Sequence, residues 1–142
     1  MNDLVVRLGG IADVMALASL RDIPADNLAA FTDWMTAHAA THLPFIAEVD
    51  GQVIGSAWLH VAERVPGEHS LTRLYGDIQS VMVRAEFRNR GVGSALMAAI
   101  LTEARTRNLL HVIVHSGRRA VDFYIRNGFT HHRQLLLWEP TA

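Results

Sequence analysis

A short glycine-containing segment, Arg88 to Ser94 (RNRGVGS), lies between an apolar strand pattern and the longest helical pattern of the chain. Two glycines near a helix start allow a turn in which successive backbone N–H groups converge on one point. The helix N-terminus adds a partial positive charge, and Arg88 and Arg90 add full ones. The segment therefore predicts a binding site for a phosphate or pyrophosphate group between a strand and a helix.

Two better-known phosphate-binding motifs are excluded for this segment. A P-loop requires a lysine, and all 13 basic residues of the chain are arginines. A dinucleotide-binding fingerprint requires a third small residue three positions after Gly93, where the chain has Leu96. It also requires an acid at the end of the next strand, where the chain has His115-Ser116.

The apolar periodicity of the chain alternates between strands and helices and indicates a mixed α/β fold. Asp50-Gly51 separates two strand-like runs and predicts a tight hairpin turn. After Asp77, a strand, a helix and another strand follow one another, which predicts a crossover connection and parallel pairing. We predict strands over residues 4–8, 45–49, 53–61, 77–83, 111–115 and 134–138, and helices over residues 11–20, 26–38, 91–107 and 120–127.

The composition is that of a small globular protein. With 142 residues, of which 50% are hydrophobic and 19% charged, the chain fits a single domain that spans residues 1–142. Its longest uninterrupted apolar run, residues 95–101, is too short to cross a membrane. A net charge of −1 provides no general attraction for nucleic acid.

The amino-acid usage also restricts the chemistry and the compartment. The absence of cysteine excludes disulfides, thiolate metal ligands and a cysteine nucleophile, and it suits a reducing environment. Met1-Asn2-Asp3 lacks the basic and apolar pattern of a secretory signal, so we expect a cytoplasmic protein. The exclusive use of arginine, together with many alanines, indicates a bacterial protein from a GC-rich genome. The lack of lysine excludes a Schiff-base mechanism.

His38 and His42 have the spacing of two zinc ligands on one helix face. The chain lacks the adjacent glutamate of the His-Glu-x-x-His motif, and no third ligand is evident. Pro44 follows closely, so the helix is expected to end near His42. We therefore expect no metal site.

A second motif, Arg119 to Phe129 (RAVDFYIRNGF), lies downstream of the glycine segment. Together with Arg88, Gly91 and Gly93, which match the pattern Arg-x-x-Gly-x-Gly/Ala, it resembles the GNAT superfamily of N-acetyltransferases. The separation of the two motifs and the order of elements also match, so the resemblance covers nearly the whole chain. It implies a GNAT-like acyl-CoA N-acyltransferase fold, in which a central mixed sheet of six to seven strands is flanked by four helices.

The resemblance implies that acetyl-CoA is the co-substrate and that its pyrophosphate binds the amides of the glycine segment. The pantetheine arm would pair with the edge of a strand, as an added strand does, and the thioester would lie beside it in a gap between two parallel strands. Members of the family often have an asparagine where this chain has Gly117, so that contact is missing unless Ser116 supplies it. The implied acetyl-CoA-binding residues are Val81, Met82, Val83, Arg88, Asn89, Arg90, Gly91, Val92, Gly93, Ser94 and Ser116.

Acetyl transfer to an amine needs one group that accepts a proton from the ammonium and another that protonates the departing thiolate. Tyr124 occupies the position of the family's acid, so the resemblance implies that Tyr124 protonates the departing thiolate. Many relatives have a glutamate at the position of Gln79, whose amide cannot act as a base. Asp77, two residues earlier on the same strand face, and His115, at the end of the next strand, are the candidate bases, directly or through ordered water.

The resemblance thus implies an acetyl-CoA-dependent N-acetyltransferase that acts on a primary amine of a small molecule. Trp34 is a candidate wall of the acceptor cleft. Acetylation of peptide or protein N-termini is one alternative, and a non-catalytic acyl-CoA-binding module, favoured by Gln79, is the other. The expected binding partner is a small-molecule amine. We expect binding neither to nucleic acid nor to a membrane, and a homodimer is compatible with this interpretation.

Overall fold

A five-stranded mixed sheet with α-helices on both faces forms the fold of residues 3–140, the part of the chain that the computed structural model describes. The strands are β1 (Leu4–Leu8), β2 (His42–Val49), β3 (Gln52–Arg64), β4 (Arg73–Val83) and β5 (Val112–Val114). The helices are α1 (Val14–Leu20), α2 (Leu28–Ala37), α3 (Val92–Thr106) and α4 (Val121–Arg126). Within these residues, no helix has both the length and the apolar character needed to cross a membrane.

The five strands lie in the sheet in the same order as in the chain. Two predicted pairings are confirmed: the hairpin of β2 and β3, and the parallel pair of β4 and β5. Asp50 and Gly51 both have positive φ angles, 52° and 76°, as a tight hairpin turn between β2 and β3 requires. Strands β1 to β4 pair antiparallel, whereas β4 and β5 pair parallel through residues 76–78 and 112–114. The predicted mixed α/β class is therefore correct.

Helices pack against both faces of the sheet. Adjacent residues of β2 point to opposite faces, so the strand contributes side chains to both cores. Phe45 belongs to one core, with Leu96, Met97 and Ile100 of α3. Ile46 belongs to the other, with Leu17 of α1, Met35 of α2 and Trp58 of β3. Burying each such side chain contributes about 1.5–3 kcal/mol.

Strand β4 continues past the end of β5, and this opens a gap in the sheet. The parallel pairing ends at Ile78 and Val114, while β4 runs on to Val83. Ser80, with a φ of 79°, is an extra residue opposite β3 and forms a bulge, which bends the strand. Beyond Ile78, the β5-facing edge of β4 pairs with no described strand.

The predicted strand over residues 134–138 is wrong, and the sheet has five strands rather than six to seven. Leu135 to Trp138 are 59–86% exposed and form no pairing with the described strands. Strand propensity has little effect without a partner that completes the hydrogen-bond ladder. Strand β5 is three residues long, shorter than the predicted 111–115, and offers only a short edge.

Candidate active site

The glycine segment joins β4 to α3 through a turn that needs glycine at one position. Gly91 precedes α3 with φ 82°, in the left-handed region that side chains rarely adopt. A β-carbon built on Gly91 would contact no atom within 4 Å. The backbone conformation, and not lack of space, therefore requires glycine there. Asn89 is also left-handed, with φ 61°.

The backbone N–H groups of this turn are free to bind a ligand. The amide of Ala95 donates to the carbonyl of Gly91 at 3.0 Å and is the first in the segment to form a helical bond. The N–H groups of residues 89–94 donate to no described residue. Such unpaired amides at a helix N-terminus favour an anion. The predicted pyrophosphate-binding residues Asn89 to Ser94 thus have the donors that this role requires.

Two arginines add positive charge to the same turn. Nε of Arg88 donates to the carbonyl of Val83 at 3.1 Å, which anchors the side chain beside the end of β4. The guanidinium of Arg90 lies 5.9 Å from the centre of the Phe87 ring. Neither arginine forms an ion pair with a described carboxylate, so both charges are available to a phosphate.

The two sequence motifs meet where α3 begins and α4 ends. Nδ2 of Asn127 donates to Oγ of Ser94 at 3.2 Å and to the carbonyl of Phe123 at 2.8 Å. Gly93 faces the ring of Phe123. The second motif therefore supports the turn that carries the first.

Val81, Met82 and Val83 form the part of β4 that extends beyond β5. On one side they pair with Ala57, Ser56 and Gly55 of β3. Their opposite edge is unpaired within the described residues, so its backbone groups can pair with an extended, amide-containing arm. The location of these three residues fits the predicted binding of pantetheine.

Tyr124 is held by aromatic neighbours, and its hydroxyl forms no hydrogen bond with a described residue. Only 9% of the residue is exposed, and its ring contacts Phe123 and Phe129 at centroid distances of 5.0 and 5.5 Å. Burial raises the pKa of the phenol above its ordinary value of 10.0. Tyr124 and Ser116 line one cavity of about 840 Å³ that runs along β5 and α4. The phenol is therefore protonated at neutral pH and able to donate.

Of the two candidate bases, Asp77 is held in place and His115 is not. Nε2 of Gln79 donates to Oδ2 of Asp77 at 3.0 Å, so the amide orients the carboxylate on a shared strand face. His115 is exposed and follows the last paired residue of β5, Val114. No hydrogen bond or ion pair joins His115 to another described residue. The parallel pairing thus brings the two strands together but leaves the two candidate bases unconnected.

The other face of the sheet contains an aromatic pocket that sequence reasoning found only in part. The centroid of the Trp34 ring lies 6.3 Å from that of Phe31 and 6.0 Å from that of Trp58. The pocket has a volume of about 290 Å³, which is small for a ligand site. Trp34 was a predicted wall of the acceptor cleft, whereas the role of the other lining residues was not predicted. The aromatic pocket is lined by Arg21, Phe31, Trp34, His42, Trp58 and Gln79.

Three histidines lie in contact at the rim of this pocket. The ring of His42 stacks on that of His60 with 4.3 Å between centroids. It meets the ring of His38 edge-on with 5.3 Å between centroids. The pKa of His42 lies below its ordinary value of 6.5. Burial is the largest cause, and the nearby His60 and His38 lower the pKa further. In the described part of the chain, no group of three or more histidine, cysteine or acidic residues is arranged to hold a metal ion.

The fold is that of known acetyltransferases. A structure of a predicted acetyltransferase from Clostridium acetobutylicum, solved with acetyl-CoA, superposes with a TM-score of 0.78 over 96% of each chain, at 19% identity. In sequence, the chain is 30% identical to the glucosamine 6-phosphate N-acetyltransferase of Trypanosoma brucei brucei over 66% of this chain. It is 30% identical to an amino-acid acetyltransferase of Mycobacterium tuberculosis over 89% of this chain and 68% of that protein.

The chain spans 62% of the length of the glucosamine 6-phosphate enzyme. A family model described as the acetyltransferase (GNAT) family matches residues 12–129, which include both motifs and the whole sheet apart from β1. Acetyl-CoA is the acetyl donor of this family. With its free amides at the start of α3 and its gap beside β4, the chain belongs to the acetyltransferase (GNAT) family.

Proposed function

We propose that this protein transfers the acetyl group of acetyl-CoA to a primary amine of a small molecule bound in the aromatic pocket. One observation carries the proposal. Gln79 lines the pocket, and the free edge at Val81 to Val83 lies two residues further along the same strand. An acceptor in the pocket and a donor along the edge would therefore meet at the bulge around Ser80.

The donor side of this proposal rests on the free amides of residues 89–94 and on Arg88 and Arg90. These groups would hold the pyrophosphate, while the edge of β4 and Ser116 would hold the pantetheine arm. Acetyl-CoA supplies an acetyl group activated as a thioester. The chain supplies its alignment along β4, which raises the rate by fixing the distance and direction of attack.

The acid–base steps are assigned to side chains of β4 and α4. Asp77, oriented by Gln79, is the proposed acceptor of the ammonium proton, directly or through water. His115 is the alternative base, with support only from its position after β5. As the C–N bond forms and the C–S bond breaks, the thiolate would take the proton of Tyr124, whose raised pKa keeps it protonated. The second proton of the attacking nitrogen would then pass through water to the tyrosinate and restore the phenol.

Two observations favour a small molecule over a peptide or protein N-terminus. The pocket volume of about 290 Å³ suits a compact acceptor, whereas a peptide needs an extended groove. Two of the sequence relatives act, by their names, on small amines: glucosamine 6-phosphate and amino acids. A non-catalytic acyl-CoA-binding module would have no use for the bonded pair of Asp77 and Gln79 beside Trp58.

The proposal is tested in two steps. Isothermal titration with acetyl-CoA should show binding, and a panel of small primary amines and N-terminal peptides should then be assayed for release of free thiol. We expect thiol release with small amines and none above background with peptides. Faster turnover of peptides would favour N-terminal acetylation, and tight acetyl-CoA binding without thiol release from any amine would favour the binding module.

A further inference from the structure

We propose that the acceptor carries an anionic group, a carboxylate or a phosphate, besides its amine, and that Arg21 binds this group in the aromatic pocket. The inference rests on the proposed function, because it concerns the acceptor of the same reaction. It names the chemical class of that acceptor: a primary amine and an anion separated by a flat apolar section.

Arg21 provides the pocket with a cation that has no partner among residues 3–140. Its backbone N–H donates to the carbonyl of Ala18 at 3.1 Å, which fixes its position at the end of α1. Its guanidinium forms no ion pair or hydrogen bond with a described residue. By contrast, Arg7 is paired with Asp13 and Glu48.

No acidic residue is among those that line the pocket with Arg21. An arginine in such surroundings favours a carboxylate or phosphate, because its planar fork can donate two parallel hydrogen bonds. The imidazole of His42 is kept neutral by burial at neutral pH, so Arg21 is the charge that an anion would meet there.

A carboxylate lies next to the opposite wall of the pocket, outside the residues that line it. Gln79 lies on the sheet, where it donates to the carboxylate of Asp77. Asp77 attracts an ammonium group, and Arg21, in the helical layer, attracts an anion. A molecule with opposite charges on its two ends would therefore place its anion at Arg21 and direct its amine toward Asp77, beside Gln79.

Aromatic rings form much of the wall of the pocket that Arg21 and Gln79 also line. Phe31 and Trp34 come from α2, and Trp58 comes from β3. The ring of Phe31 lies within 6.3 Å of both tryptophan rings, measured between centroids. Such walls favour a flat apolar section, which stacks on their faces or meets their edges.

Matched amines test this class of acceptor. 4-(Aminomethyl)benzoate has an amine and a carboxylate across one ring, 4-(aminomethyl)phenylphosphonate replaces the carboxylate by a phosphate-like group, and 4-(aminomethyl)benzamide is neutral at that end. We expect the KM of the benzamide to exceed that of the better anion by about tenfold, as for a charge-assisted bond at a partly exposed site. The ratio of the KM values of the two anions shows whether the site prefers a carboxylate or a phosphate.

The substitution Arg21→Gln should abolish this preference, whereas Arg105→Gln, on exposed α3 surface on the other side of the sheet, should retain it. Binding is also measured without acetyl-CoA, by quenching of tryptophan fluorescence in a Trp138→Phe background. Trp138 is 82% exposed and lies outside the pocket, so the remaining signal reports Trp34 and Trp58.

The two proposals fail in different ways. Equal KM values and equal quenching by the anions and the benzamide, or a preference that persists in Arg21→Gln, would overturn the anion site even if all three amines are acetylated. Quenching that prefers an anion and depends on Arg21, without any thiol release, would support the anion site and argue against the proposed function. The absence of quenching by all three compounds would overturn the inference.

Discussion

The ring of Phe123 in α4 lies directly against Gly93 in α3. A β-carbon built on Gly93 would lie 3.0 Å from Cε1 and 3.1 Å from Cζ of that ring. Carbon atoms normally pack at about 3.5–4.0 Å, so a side chain at this position forces a neighbour to move. Gly93 therefore allows the close approach of α3 and α4, in addition to any contact of its amide with a phosphate.

We expect Gly93→Ala to lower the free energy of unfolding by about 1–3 kcal/mol, the usual cost of overpacking. Urea denaturation measures this change. The double variant Gly93→Ala with Phe123→Leu should recover part of the loss, since the smaller side chain makes room for the methyl group. Gly117→Ala is the control, because Gly117 has an ordinary φ of −64° and open space around its β-carbon position. A Gly93→Ala variant as stable as the wild type would show that the contact is easily relieved.

At Gly91, we expect the substitution to affect ligand binding more than folding. Gly91→Val should abolish measurable acetyl-CoA binding in calorimetry, because valine opposes the left-handed φ of 82° and a side chain would crowd the phosphates. Circular dichroism should stay near normal, because the β-carbon position of Gly91 has no atom of a described residue other than its chain neighbours within 4 Å. Gly91→Asn should retain more binding, since asparagine tolerates this conformation better. Unchanged affinity in the valine variant would contradict the pyrophosphate assignment.

Tyr124→Phe keeps the ring between Phe123 and Phe129 and removes only the hydroxyl. If the phenol protonates the thiolate, kcat should fall by roughly 10²–10⁴-fold, the usual contribution of a general acid. The affinity for acetyl-CoA should change little, because the proton is transferred only in the transition state. Undiminished turnover, under conditions in which chemistry limits the rate, would leave solvent as the proton source.

His42 should make stability depend on pH below neutrality. Burial lowers its pKa in the folded state, so the unfolded chain binds a proton first as the pH falls through about 6.5. The stability contributed by His42 is therefore present above this pH and is lost as the pH decreases toward its folded-state pKa. We expect urea denaturation at pH 7.5 and pH 5 to show a smaller loss for His42→Asn than for the wild type. His131→Asn, at an exposed position, should match the wild type.

Local sequence patterns were sufficient to predict those parts of the fold and the site whose residues lie close together in the chain. The glycine segment, the Asp50-Gly51 turn and the helix closed by Gly128 all depend on backbone conformations that particular residues favour. Gly128, with φ 94°, follows α4 directly after the predicted range 120–127, and Asn108, with φ 56°, is left-handed after α3. The β4–β5 pairing was also predictable, because a strand–helix–strand unit strongly restricts the connection.

The aromatic pocket and the number of strands were decided by contacts between distant residues. Counted from the Asp50-Gly51 turn, His42 would face Leu59, but an irregularity between Ala47 and Glu48 shifts the register so that it faces His60. A shift of one residue exchanges the two faces of a strand, and nothing in the local pattern reveals it. The apolar run Leu135 to Trp138 likewise matches a strand in its residues but lies outside the sheet. The sequence determined the turns and helix ends, where one or two residues choose the backbone angles. The tertiary structure decided the register and the strand partners, because these depend on the packing of the whole sheet.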